Sequence, residues 1–543
     1  MKIALSQLNY HIGNFEANEA KIIQSIEKAK SAQADLVVFA ELSVCGYPPR
    51  DFLNFEDFVA LCASSIDRIA KHCTGIAAIV GSPSKNHNPK GKPLYNSAYF
   101  LADGKVKSVH HKQLLPTYDV FDEYRYFEPA HKVECIRYKG ECIALNICED
   151  LWNVEGEFLY RGSPMDSLAK ESPDFIVNIA ASPFHHHQAE KRANIFKWNS
   201  ERYKLPIYYV NHIGAQTELV FDGGSCHFNA AGEKTHQMAF FEEDFQLFDT
   251  QKEIRAEKLE LKPPKWALIE QALESGIRDY FRKLGFKKAT LGLSGGIDSA
   301  LTLVLAVRAL GKENVIPILM PSQFSSDHSI DDSLALCKNL GCDYHQIPIK
   351  EIYQEFEEKL DPLFKGTQFG VAEENIQSRI RGTLLMAHTN KFGTILLNTS
   401  NKSELAVGYG TLYGDMAGGL SVIGDLYKIE VYELSKFINR DKAILPTNII
   451  TKEPSAELRP DQKDSDSLPD YDVLDSILFE YIENEISPKK IIELGYEESL
   501  VKRILRMVNI NEYKRHQAPP ILRVSAKAFG MGRRMPIVGK YLA

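Results

Sequence analysis

The chain has 543 residues, 44% of them hydrophobic, with a formal net charge of −8 and a sequence pI near 6.1. That length suggests about two to four globular domains, and the scattered charge argues against nucleic-acid or membrane partners, as does the lack of any apolar run near the ~18 residues a span needs. The start, M-K-I-A-L-S-Q-L, has no apolar signal core, and the nine cysteines include no C-x-x-C pair, so a cytoplasmic protein with free thiols is expected rather than a disulfide frame or a zinc site.

In chain order, residues 2–9 read as a strand and 18–33 as a helix with Ile22, Ile26 and Ala29 on one face. A buried strand over 35–41 delivers Glu41 at its end. Further strands are expected at 76–81, 97–101, 105–111, 142–147, 175–180 and 207–211, with a helix over 188–203. This first half, 1–248, is α/β with its own core.

Three of its segments end in reactive side chains. Phe39-Ala40-Glu41-Leu42 brings a carboxylate, His110-His111-Lys112-Gln113 an ammonium, and Asn146-Ile147-Cys148-Glu149-Asp150-Leu151-Trp152 a thiol. An amide is a poor electrophile, so a thiol that attacks it needs a base to take its proton and a fixed positive charge for the oxyanion. The other eight cysteines read as small buried hydrophobes.

Taken together, the three segments resemble the nitrilase, or carbon–nitrogen hydrolase, superfamily. The resemblance implies an α-β-β-α sandwich with Glu41 as general base, Lys112 as oxyanion partner and Cys148 as nucleophile. It also implies a glutamine pocket at Tyr118 and Ser182, and at the position of Gln188, where glutamine-using relatives tend to carry lysine or arginine. Lys191 and Arg192 are alternative partners for the substrate carboxylate. The run His185-His186-His187 reads as hydrogen-bonded or solvated, since metal sites use spaced pairs.

Residues 249–264 are charged and close on two prolines, which reads as a linker or strap. An amphipathic helix over 266–284 follows, and then Ala289-Thr290-Leu291-Gly292-Leu293-Ser294-Gly295-Gly296-Ile297-Asp298-Ser299, a strand, tight loop and helix start. Glycines there let the backbone approach an anion, and the first helical N–H groups point at it. Ser294 and Ser299 add hydroxyl donors, and Asp298 in an anion site implies a magnesium ion. A Walker A loop is excluded because its lysine is missing. Strands and helices alternate at 315–319, 329–340, 344–349, 375–389 and 394–398, so 265–543 is expected to be a doubly wound parallel sheet.

The S-G-G-x-D-S loop resembles that of the ATP pyrophosphatases, which are adenine nucleotide α-hydrolase-like. Glu374-Asn375-Ile376-Gln377-Ser378-Arg379-Ile380-Arg381, Asn398-Thr399-Ser400-Asn401-Lys402-Ser403-Glu404, a glycine-rich stretch over 408–428, Pro454-Ser455-Ala456-Glu457-Leu458-Arg459-Pro460 and Glu512-Tyr513-Lys514-Arg515 extend the resemblance to NAD synthetases. With the front half, the chain resembles the glutamine-dependent members of that family over about residues 2–536.

The resemblance implies that ATP adenylates deamido-NAD+ and that ammonia from glutamine displaces AMP. Gly292, Leu293, Ser294, Gly295, Gly296, Ile297, Asp298, Ser299 and Thr399 would meet ATP. Asn375, Glu404 and Lys514 would meet deamido-NAD+, and Asp298 and Glu404 would hold Mg2+. A homo-oligomer and an internal ammonia passage are further expectations. The rival readings are a different amidotransferase, which would lack the Glu374–Arg381 and Asn398–Glu404 segments, and a nucleotide sensor, which would carry a damaged triad or loop.

Overall fold

In the computed structural model, which describes residues 1–156, 159–252, 254, 263–460 and 462–542, the chain divides into a unit Met1–Pro263 and a unit Pro264–Ala543. Most of the expected strap, at 253 and 255–262, lies outside the described residues. Its first residue, Asp249, closes a strand rather than opening a linker.

The first unit carries β1 (Lys2–Gln7), β2 (Leu36–Val38), β3 (Ala77–Lys85), β4 (Leu94–Ala102), β5 (Lys105–His111), β6 (Ile136–Tyr138), β7 (Glu141–Ile147), β8 (Phe175–Ile179), β9 (Ile207–Val210), β10 (Ile213–Gln216), β11 (Leu219–Asp222), β12 (Cys226–Phe228), β13 (Lys234–Gln237) and β14 (Asp244–Asp249). They make two six-stranded sheets, ordered β14-β1-β2-β3-β4-β5 and β13-β12-β9-β8-β7-β6, and a β10-β11 hairpin.

Side-chain alternation explains the layering. Ile143, Leu145 and Ile147 of β7 and Phe175, Val177 and Ile179 of β8 share one buried cluster with Leu5, Val37 and Ile79 of the other sheet. The residues between them, Ala144 and Ile176, instead meet Ile195 and Phe196 of the helix Gln188–Tyr203. The helices Phe15–Ser31 and Glu56–Lys71 bury Ile22, Ile26, Ala29, Ile66 and Ile69, and the second packs along β3. Helix, sheet, sheet and helix thus stack as the α-β-β-α sandwich that the sequence implies. Each fully buried aliphatic side chain contributes about 1.5–3 kcal/mol.

The second unit is built on β15 (Ala289–Gly292), β16 (Val315–Leu319), β17 (His345–Gln346), β18 (Ile395–Asn398) and β19 (Leu420–Ser421), ordered β17-β16-β15-β18-β19 with every pair parallel. The helix Ile297–Leu310 is buried on every side over residues 299–306, where only Ser299 and Thr302 are polar. The chain steps outward from β15 to β17 and returns to the other flank of β15 with β18. That reversal opens a crevice beyond the carboxyl ends of β15 and β18.

Several expected strands are shorter than read. β2 stops at Val38, short of Glu41, and the strand expected over 344–349 pairs only at His345–Gln346. β1 ends at Gln7 rather than residue 9, and the helix expected from 329 begins at Asp327, capped by Ser326 Oγ on the Ser329 N–H.

Candidate active sites

Glu41 reaches its place through a turn. Phe39 N–H still bonds Ile79 O at 3.0 Å, and Leu42 takes a positive φ of 47°. Gly81 of β3 lies underneath, where a Cβ would stand 2.4 Å from Leu42 N and 2.6 Å from Ala40 O, so the turn needs glycine there. Glu41 is 1% exposed. Its Oε2 accepts from Ala181 N–H at 2.9 Å, and its Oε1 from Asn96 Nδ2 and Lys112 Nζ, both at 2.7 Å.

Lys112 follows β5 and is equally buried. Its ammonium also donates to Glu123 Oε1 at 2.8 Å, and Glu123 in turn accepts from Asn96 Nδ2 at 3.2 Å and Tyr47 OH at 3.0 Å. Burial opposes the charge, yet Glu123 and Glu41 hold the Lys112 ammonium well above the ordinary lysine value. Burial raises the Glu123 carboxyl.

Cys148 follows β7 directly with φ of 45°, a left-handed conformation that non-glycine residues rarely adopt. The turn is fixed by Asp150, whose Oδ2 accepts from Ile147 N–H at 3.1 Å. Its Oδ1 accepts from Gln113 and Leu114 N–H at 3.0 and 2.9 Å, which ties the Cys148 turn to the chain leaving Lys112. Burial and the Glu41 carboxylate push the Cys148 thiol well above its usual value, while Lys112 pulls the other way. The thiol thus has a carboxylate and a buried ammonium as its charged neighbours.

The residues expected to form a glutamine pocket lie around this cluster. Tyr118 OH donates to both oxygens of Glu149 at 3.0 Å, and Tyr160 OH donates to Glu149 Oε1 at 3.0 Å. Burial lifts the Glu149 carboxyl to about 7. Ser182 adjoins Ala181, and its Oγ accepts from Gln188 Nε2 at 3.0 Å. Of the two alternative carboxylate partners, Arg192 is committed elsewhere, since it forms a buried two-point pair with Asp222 at 2.8 and 2.6 Å. Lys191 Nζ sits 5.6 Å from the centre of the Trp152 ring. The His186 and His187 rings lie 4.1 Å apart, tilted at 50° to each other.

In the second unit a cavity of about 690 Å³ opens at the strand reversal, lined by Gly292, Leu293, Ser294, Gly296, Ile297, Asp298, Ser299, Thr399 and Glu404 among others. Gly295 has φ of 79° and backs onto the next helix, where an added Cβ would lie 2.3 Å from Ser329 O. The serine hydroxyls largely shape the loop. Ser299 Oγ accepts from Ser294 N–H at 3.2 Å and donates to Gly296 O at 3.1 Å, while Ser294 Oγ accepts from Gly296 N–H at 3.2 Å. This narrows the expectation that both are simply donors to a ligand.

Asn401 joins the two strand ends. Its Oδ1 accepts from Glu404 N–H at 2.9 Å, Glu404 Oε2 accepts from Asn401 N–H at 3.2 Å, and its Nδ2 donates to Asp298 Oδ1 at 2.9 Å. Lys428 Nζ donates to Asp298 Oδ2 at 2.5 Å and stands 3.8 Å from Glu404 Oε1. Burial and the Asp298 charge raise the Glu404 carboxyl well above its ordinary value. Arg381, Lys452, Glu457 and Arg459 also face the cavity, and burial lowers Arg381 to about 10. Asn375 and Lys514 meet a neighbouring loop. Asn375 Oδ1 accepts from Thr411 Oγ1 at 2.7 Å, and Lys514 Nζ donates to Gly408 O and Gly410 O at 2.8 Å.

Residues 2–256 match the carbon-nitrogen hydrolase family model and residues 269–518 the NAD synthase model. The glutamine-dependent NAD(+) synthetase of Synechocystis sp. is 47% identical, with 98% of each chain covered. The chain belongs to the glutamine-dependent NAD(+) synthetase family. The Thermotoga maritima member is 39% identical over 100% of this chain and 99% of its own. The solved glutamine-dependent NAD+ synthetase of Acinetobacter baumannii, in complex with adenosine diphosphate, superposes with a TM-score of 0.79 at 37% identity, covering 99% of this chain and 98% of that one. That of Cytophaga hutchinsonii, at 21% identity and a TM-score of 0.84, covers the same shares and shows the same fold.

Within this family member, sequence reasoning missed Glu123, Glu149 as a buried carboxylate, and Lys428. Glu149 follows Cys148 directly and Glu123 lies five residues after Tyr118, but nothing in Val120-Phe121-Asp122-Glu123 or Cys148-Glu149-Asp150 marks which acid turns inward. Lys428 closes the glycine-rich stretch and starts the helix Lys428–Ile438. A lysine at a helix start is unfavourable for the macrodipole, which was the available signal that it serves something else.

Proposed function

We propose that the chain is a glutamine-hydrolysing NAD+ synthetase whose first unit releases ammonia from glutamine and whose second unit spends it on adenylated deamido-NAD+, the last step of NAD biosynthesis. The observation that carries this reading is one chain holding, in separate units, a buried thiol beside a carboxylate–ammonium pair and a nucleotide crevice at a parallel-sheet reversal.

In the first unit Glu41 takes the Cys148 proton as the sulfur attacks the side-chain amide carbon. Lys112, pinned by two carboxylates, faces the oxyanion. Glu41 then passes the proton to the departing ammonia, and water, deprotonated by Glu41, opens the thioester to glutamate as the proton returns from Glu41 to the leaving Cys148 sulfur. Glu123 is a positioning residue that keeps Lys112 charged. Glu149, with Tyr118 and Tyr160, suits the substrate ammonium, while Ser182 and Gln188 offer neutral donors to its carboxylate. Delivery of unprotonated ammonia matters because ammonium has no lone pair.

In the second unit the loop 292–299 cradles the ATP phosphates and Thr399 meets the nucleotide, while Glu404, Asn375 and Lys514 serve deamido-NAD+. Asp298 and Glu404 fit a magnesium ion: two oxygen donors, one of them destabilised by the other's charge, converge where phosphates would complete the coordination. When bound, the ion would neutralise the pyrophosphate that leaves as the nicotinate carboxylate becomes an acyl adenylate. Asn401 keeps both carboxylates in place.

We further infer a cytoplasmic homo-oligomer. No helix among the described residues is long and apolar enough to cross a membrane, and the exposed Leu363, Phe369 and Val371 offer an apolar surface for a second copy.

The test is to supply glutamine labelled with 15N in its side-chain amide, together with ATP, magnesium and deamido-NAD+. The label is expected in the nicotinamide group of NAD+, with AMP, pyrophosphate and glutamate formed alongside. NAD+ formed without label would refute the coupling.

A further inference from the structure

Lys428 is 3% exposed, and its ammonium bridges two carboxylates that both fit a divalent cation, at 2.5 Å from Asp298 Oδ2 and 3.8 Å from Glu404 Oε1. Asp298 is the second residue of the helix that leaves the phosphate loop, so any phosphate held there arrives beside this ammonium. The backbone of Lys428 is fixed: its N–H donates to Ser403 Oγ at 2.9 Å, and Ile429 N–H donates to Asp475 Oδ2 at 3.0 Å. Only the four-carbon stem can swing, and the space it faces is the nucleotide cavity that Lys428 itself lines.

We propose that Lys428 is a stand-in cation, holding the divalent-ion seat between Asp298 and Glu404 until a nucleotide's phosphates draw it away, so that the metal enters only with nucleotide. This rests on the reading of Asp298 and Glu404 as metal ligands. A divalent ion arriving alone must pull both carboxylates away from a buried ammonium that already pairs with them, and Lys428 is then left with Asp464 and the Tyr471 ring beside it, which is unfavourable. A polyphosphate changes both sides of that balance. It gives the ammonium an anion to move to, and it adds oxygens to a metal shell that two carboxylates leave incomplete. Empty of nucleotide, the site stays electrically satisfied without metal. Lys428 thus makes metal and nucleotide binding mutually dependent.

The test measures protein-bound Mn2+ by electron paramagnetic resonance on the full chain, with and without α,β-methylene-ATP, which the enzyme cannot cleave at the α–β bridge. In the unsubstituted protein the analogue is expected to tighten Mn2+ binding by about tenfold or more. Lys428→Gln is expected to bind Mn2+ alone about tenfold more tightly than the unsubstituted protein, with the effect of the analogue correspondingly reduced. Adding Asp298→Asn to that variant should remove the gain. Lys428→Met, which keeps the stem, repeats the measurement should the glutamine variant fail to fold. Equal Mn2+ affinity with and without analogue in the unsubstituted protein, or no gain in either folded variant, would overturn the proposal. A gain that survives Asp298→Asn would overturn it too. Absence of bound Mn2+ in every protein, analogue included, would overturn the metal-ligand reading itself.

Discussion

Single residues carry the strictest geometric demands, and Gly295 shows how narrow they are. Its φ of 79° and the 2.3 Å between an added Cβ and Ser329 O leave no room for a side chain, because the obstacle is backbone of the next helix. Gly295→Ala is expected to displace the loop and cut ATP-dependent NAD+ formation by about 100-fold, with glutamine hydrolysis in the other unit unchanged. Steady-state assays of AMP and glutamate formation separate the two. Gly296, with a Cβ position 3.3 Å from Ser294 Oγ and φ outside the left-handed region, is under less constraint. Cys148 is the opposite case: a side chain is required at positive φ, and the surrounding turn holds it there.

Elements matter where one holds another in register. Asp150 joins the turn after β7 to the segment after β5 through three backbone N–H groups, and so sets the spacing between Cys148 and Lys112. Asp150→Ala leaves those donors buried and unpaired, at about 1–3 kcal/mol each. It is expected to lower the thermal unfolding midpoint and to reduce glutaminase kcat by about 100-fold, measured by calorimetry and ammonia release. The strand ends of the second unit are joined in the same manner by Asn401, and Lys402 beside it is buried against Asp425 and Glu483 at 2.9 and 2.8 Å. The start of the helix that carries Glu404 therefore rests on buried ion pairs.

At the scale of the molecule, each unit has its own core and its own chemistry, so the two reactions should separate by mutation. Cys148→Ala is expected to abolish glutamine-driven NAD+ formation and leave the ammonium-driven reaction, since an acyl adenylate accepts ammonia from solution. Asp298→Ala is expected to abolish NAD+ formation from either nitrogen source while glutamine hydrolysis persists. NAD+ assays with glutamine or an ammonium salt decide both. A Cys148→Ala protein inactive with ammonium would contradict independent units.

The sequence by itself determined the strand and helix alternation, the thiol, ammonium and carboxylate segments and the phosphate loop, because each is a local pattern whose meaning lies within a few residues. The helix Gln188–Tyr203 and the strand Val315–Leu319 fall on their expected bounds because periodicity and flanking turns coincide there. The helix Glu498–Ile510, with Val501, Ile504, Leu505 and Val508 buried, carried the same periodicity and was passed over. Only the tertiary structure decided that Glu123 shares Lys112 with Glu41, that Arg192 is spent on Asp222, and that Lys428 stands between Asp298 and Glu404, 130 and 24 residues away in the chain. Charge pairing depends on distance through space, and which acid meets which base is settled only once the sheets bring remote strand ends together.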